Sequence, residues 1–202
     1  GDMAQLQISY VTSVGGTSDS SIATLNISGV NDGPTAVTDS GLTSGGFASE
    51  FWVYNEGEDG PNLESVAQVI GFTGSNTPDA TFISTGLSYS VVSGDSDYRA
   101  NLGSNNHLED WLADGGDEGS VVRNTTESSG DAIVRFAGVF EVETAGQFTL
   151  DITHDDGFIV FIDGVETFTA DFITSPSNFV QTTNLSAGSH DVEIYYWDQG
   201  GE

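Results

Sequence analysis

Asp155 and Asp156 stand side by side in residues 150–164, LDITHDDGFIVFIDG, with His154 before them and Gly157 after. Adjacent carboxylates repel, and a chain seldom fixes that much charge at a rigid turn without a cation to share it. The chemistry these residues offer is ligation of a hard divalent ion by oxygen. The other reading is a plain polar turn, because Asp and Gly are common turn formers. The dipeptide alone does not separate the two.

Other candidate chemistry is thinner. The histidines are His107, His154 and His190, and with neither Cys nor Lys most nucleophile schemes are missing. No nucleophile elbow frames a serine. A glycosidase needs only two carboxylates at a fixed separation, but with 31 acidic residues a pair could always be found. No enzymatic activity is therefore expected. His154 reads as a strand residue or a support for the Asp pair. Asp114, Asp117 and Glu118 cluster in DGGDEG, either as an accessory calcium loop or as a solvated loop. Their spacing is not that of an EF-hand.

The elements that must position the pair are strands. Leu150 and Ile152 alternate into it, and Phe158, Val160 and Ile162 alternate out toward Asp163-Gly164, so the carboxylates are expected at the tip of a β-hairpin. From Asp131 onward strand follows strand, with Ala145-Gly146 and Ala187-Gly188 as hairpin turns. Residues 51–57 read as a strand and 80–94 as one or two. A helix is expected after Pro61, with Leu63, Val66, Ala67 and Ile70 on one face and Gly71 as its stop. A second short helix is expected over 105–116, burying Leu108, Trp111 and Leu112. The fold class is mainly β, an antiparallel sandwich with one or two short helices.

Ahead of it, residues 5–12 and 22–30 read as two strands joined by the GGTSDS loop. Two strands cannot make a core alone. Residues 1–40 are therefore read as a partial β repeat segment and linker, and 41–202 as the main domain.

The composition narrows the partners. The net charge is −28, and the basic residues are Arg99, Arg123 and Arg135. Nucleic acid and anionic membranes need a basic footprint, so neither is an expected partner. High negative charge suits solubility, nearby divalent cations and screening by salt. With no cysteine there is no disulfide to stiffen a secreted domain, which leaves calcium for that role. No apolar run approaches the ~18 residues of a membrane helix. Gly1-Asp2-Met3 reads as a cloning remnant ahead of a fragment.

Two resemblances join these pieces. RFAGVFEVETAGQFTLDITHDDGFIVFIDG, the Ala-Gly-Ser-His turn and DVEIYYWDQGG resemble the protective-antigen-like lectin domain, over about residues 47–202. VNDGPTAVTDS resembles the end of a cadherin-like or bacterial immunoglobulin-like repeat, whose linker often binds calcium. Asn31, Asp32 and Pro34 match that linker.

In the lectin branch, two successive Asp residues joined by a cis peptide both ligate one calcium ion, and a second loop adds an amide and main-chain carbonyls. Asp155 and Asp156 match the pair, Gln199 the amide, and Gly201 the first carbonyl donor. A cis bond brings neighbouring Cα atoms to about 2.9 Å, so both carboxylates can face one ion. By this resemblance the family's last strand is expected to lie past Glu202.

The resemblance implies a calcium-dependent module that binds vicinal sugar hydroxyls. It would be part of a longer multidomain adhesin on the outer surface of a bacterium, with monosaccharides or terminal glycans as partners. A calcium-stiffened spacer and an accessory domain of a glycoside hydrolase are the alternatives.

Overall fold

The computed structural model describes residues 5–14, 17–26, 46–87, 89, 102, 108–113, 115–125 and 131–199. Two sheets face each other. The larger has seven strands in the order β5-β4-β3-β6-β11-β8-β9, and the smaller pairs β10 with β7. The larger sheet is built from β3 (Phe47–Tyr54), β4 (Ala80–Ser84), β5 (Val122–Arg123), β6 (Asp131–Val142), β8 (Gly157–Ile162), β9 (Val165–Ala170) and β11 (Gly188–Asp198). The smaller is built from β7 (Gly146–His154) and β10 (Ser177–Leu185). All their pairings are antiparallel. The expected β-sandwich is what forms.

The alternation of the strands explains the two cores. Phe51 and Val53 of β3, Ala132, Val134 and Phe136 of β6, and Phe158 and Val160 of β8 face the smaller sheet. Their neighbours Trp52, Tyr54, Ile133, Ile159 and Trp197 face the other way, under helix α1 (Val66–Thr73). The large sheet is thus buried on both faces at this end. That is why FWVY and GFIVFI read as continuous apolar runs rather than as strict alternation.

Helix α1 starts later than expected. Pro61 lies outside it. Ser65 is the N-cap, accepting from the Gln68 N–H at 3.4 Å, and Gln68 reaches back to the Glu64 N–H at 2.8 Å. This Ser-x-x-Gln pairing satisfies the Gln68 N–H, a free donor of the first turn, and the Glu64 N–H just before the cap. The buried face becomes Val66 and Val69. Ile70 turns out to solvent, and Gly71 lies inside the helix rather than stopping it. Helix α2 (Leu108–Ala113) matches expectation, with Leu108, Trp111 and Leu112 buried.

The N-terminal strands β1 (Gln5–Val14) and β2 (Thr17–Asn26) form a hairpin running beside β7 and β6. Thr17, Ser18, Asp19 and Ser20 belong to β2 rather than to the expected loop. Among the described residues, no helix is long and apolar enough to cross a membrane.

Three expected hairpins are corrected. β7 and β8 lie in different sheets, so Asp155-Asp156 is the link between sheets, not a hairpin tip. Ala145-Gly146 and Ala187-Gly188 likewise mark crossings, from β6 to β7 and from β10 to β11. Asp163-Gly164 does close a hairpin, β8–β9, with both residues at positive φ, 53° and 74°. That is the turn geometry whose twist matches paired strands.

Candidate functional site

At the sheet-to-sheet link the peptide bond between Asp155 and Asp156 is cis, as the family resemblance implied. The dipeptide is fixed from all sides. The Asp156 N–H donates to the Trp197 carbonyl at 3.0 Å. Its carboxylate is 2% exposed, and accepts the Thr174 N–H at Oδ1 and the Gln199 N–H at Oδ2, each at 2.8 Å. The Tyr196 hydroxyl donates to the Asp155 carbonyl, and His154 Nδ1 meets the Asp156 carbonyl.

Packing sets the link's height above the sheet. A Cβ on Gly157 would lie 2.1 Å from the Trp197 ring and 2.6 Å from the Ala170 carbonyl. Only glycine lets the backbone come this close. His154 is buried, edge-on to Phe158 with ring centroids 4.9 Å apart. It supports the dipeptide and is not placed as a base.

The electrostatics are those of a site short of positive charge. Burial, then Asp156 and Asp198, push the half-buried Asp155 carboxyl up to about 7. Burial, then Asp198, Glu56 and Asp156, push Asp131 up to about 7 as well. Asp131 is 5% exposed, and its Oδ2 is buried with no hydrogen-bond partner. Meanwhile Arg123 pairs with Glu109, and Arg135 with Glu50 and Glu193.

These residues fit a hard cation. The donors are carboxylate and amide oxygens, an orphaned buried carboxylate oxygen lies nearby, and like charges raise each other's proton affinity. Among the described residues no three His, Cys, Asp or Glu side chains form a metal group. The remaining donors would be neutral oxygens.

The structure brings Asp155, Asp156 and Gln199 together. Gln199 is half-buried in the loop after β11, and its Nε2 donates to Asn62 Oδ1 at 2.8 Å. Gly201, Asn31, Asp32 and Asp114 lie outside the described residues. Asp117 is 3% exposed, and its carboxylate is occupied by the Thr85 N–H (3.0 Å), the Thr85 hydroxyl and the Tyr89 hydroxyl (both 2.7 Å). It clasps the segment after β4. Glu118 is exposed at the start of a single 3-10 turn.

The model of the PA14 domain family matches residues 90–202. A solved structure described as a PA14 sugar-binding domain from an RTX adhesin is 36% identical, with a TM-score of 0.65 over 78% of this chain and 84% of that one. The chain belongs to the PA14 domain family. A second structure, the PA14 domain of the antifreeze protein MpAFP, shares the fold at 24% identity, with a TM-score of 0.62 over 82% of each chain. No curated protein matches.

Sequence reasoning missed three contributors to this PA14 site: Asp131, Asp198 and Asn62. Asp198 was visible in YYWDQGG, one residue from Gln199. Asp131 opens β6, and its strand carries it to the site because Ala132 pairs with Asp198. No local pattern marks Asn62, whose contact spans 137 residues.

Proposed function

We propose that this PA14 domain is the calcium-dependent sugar-binding module of a large bacterial surface adhesin. One calcium ion is held by Asp155, Asp156 and Gln199, with the Gly201 carbonyl as a further donor. Calcium takes about six to eight oxygen ligands, so protein donors leave positions for two neighbouring hydroxyls of a sugar. The ion's contribution would be to polarise and hold those hydroxyls. The chain's own residues fix the carboxylates and exclude water from beneath them.

The observation that carries this reading is the Asp156 carboxylate held by the Gln199 N–H, next to Asp155, whose carboxyl burial and then neighbouring acids push up to about 7. The relative that is 36% identical supports it, being described as a sugar-binding domain from an adhesin. Such a module works outside the cell, within a longer multidomain chain, attaching it to a glycan-coated surface.

The test is a glycan array read with calcium and again with chelator. Binding to glycans with free adjacent hydroxyls, lost with chelator and lost when that pair is methylated, is expected. A calcium-loaded domain that binds no glycan would leave the ion a purely stiffening role.

A further inference from the structure

We propose that Asn62 is a positioning residue for the ion site, anchoring the amide nitrogen of Gln199 so that the amide oxygen faces the cation. This rests on the reading above that Gln199 is a ligand. A glutamine amide ends in one acceptor oxygen and one donor nitrogen, on a side chain with free torsions. Only the oxygen can ligate a hard cation. A loop glutamine without a second contact would present either atom.

Here the choice is constrained. The Gln199 main-chain N–H is already given to Asp156 Oδ2 at 2.8 Å. Its Nε2 is given to Asn62 Oδ1 at 2.8 Å. With the nitrogen tied to Asn62, the oxygen is the amide atom left for a cation.

Asn62 is itself held in place. Its carbonyl accepts Gln68 Nε2 at 2.9 Å, and Gln68 belongs to the first turn of α1. That turn is pinned in turn by the Val66 N–H, which donates to Asp171 Oδ1 at 2.6 Å. The helix, packed on Trp197 and Ile133, thus reaches Gln199 through two hydrogen bonds that meet at Asn62. Outer partners of this kind fix ligand orientation, and their loss typically costs about 10- to 100-fold in metal affinity.

The experiment titrates calcium into the full chain by calorimetry and melts each variant in chelator. Asn62→Ala should weaken calcium binding about 10- to 100-fold while leaving the melting midpoint in chelator unchanged, because the main-chain contact to Gln68 survives. Asn62→Asp can only accept, so it should hold the amide nitrogen as before, and with its added charge keep the affinity at or above wild type. In a Gln199→Ala background, Asn62→Ala should not alter calcium binding.

Wild-type affinity in Asn62→Ala would overturn the proposal. An equal loss with and without Gln199, or a fall in the chelator midpoint, would also overturn it and make Asn62 a loop tie. If Gln199→Ala binds calcium like wild type, the inference fails while the Asp pair stands. If the wild type binds no calcium, the functional reading fails as well.

Discussion

Strands β8 and β11 run side by side from one end of the sandwich to the other, and their two ends treat charge in opposite ways. At one end, where Trp197 pairs with Gly157, the carboxylates of Asp155, Asp156, Asp198 and Asp131 act on one another. At the other, beyond the pairing of Val192 with Ile162, Asp163 meets a cation of the protein's own. Its Oδ2 lies 2.7 Å from His190 Nδ1, and its Oδ1 accepts the Asp191 N–H at 3.0 Å. His190 Nε2 lies 3.0 Å from the Ser186 carbonyl, so both ring nitrogens face acceptors, as an imidazolium requires. The His190 contact holds the Asp163 carboxyl below the usual range, whereas burial and neighbouring acids push Asp155 up to about 7. A carboxylate with an internal partner closes a turn. Carboxylates that crowd one another and raise the proton affinity of Asp155 and Asp131 suit an outside ion.

The largest effect should come from removing charge at the open end. Asp156→Asn keeps the size but loses a ligand charge, and Asp155→Ala loses the ligand. Each should lower calcium affinity by more than about 100-fold and abolish glycan retention, while circular dichroism still reports the strands. Gln199→Ala removes a neutral donor and should cost less, about 10- to 100-fold and at least as much as Asn62→Ala.

Calcium itself should stabilise the fold. An ion bound only by the native state adds about 2.7 kcal/mol at a hundredfold excess over its Kd. For a chain of this size that is a rise of about 5–10 °C in melting temperature. Magnesium, with its tight octahedral demand, should substitute poorly. Differential scanning calorimetry with each ion checks both.

The pH response sharpens the comparison. Asp155 and Asp131 lie near 3.8 when unfolded and about 7 when folded, so across that window the native state binds more protons. In chelator, the melting temperature should therefore fall as pH rises from 4 to 7. Calcium should flatten the fall by supplying the missing positive charge. Melts at a series of pH values, with and without calcium, test this.

His190 adds a smaller component of the same sign. Its value is raised, by the Ser186 carbonyl first and by Asp163, so its contribution is present below pH 6.5 and lost as pH rises through the folded value. His190→Ala should remove that component for a loss of about 2 °C at pH 5. Calcium affinity should not change, because the change lies at the far end.

Much of this was legible in the chain. Alternation located the strands, Leu108, Trp111 and Leu112 showed the face of α2, and the Asp pair drew attention to the link between the two sheets. What periodicity lacks is the partner. LDIT and FIVFI read as a hairpin because a short turn joins two strands, yet β7 pairs with β10 and β8 with β11. The helix was expected directly after Pro61 because proline suits a first helical position, whereas the Ser65 cap starts it at Val66. Asp131 and Asn62 were out of reach, since the register of β6 and a contact across 137 residues bring them to the site.

On the proposed function, the Asp155–Asp156 end takes an external cation and the Asp163–His190 end does not. Calorimetric titration of calcium into the chelator-treated chain tests this directly, with Asp156→Asn and Asp163→Asn as paired variants. A saturable site in the wild type, lost in Asp156→Asn and retained in Asp163→Asn, is the predicted result. Calcium binding of undiminished affinity in Asp156→Asn would contradict it.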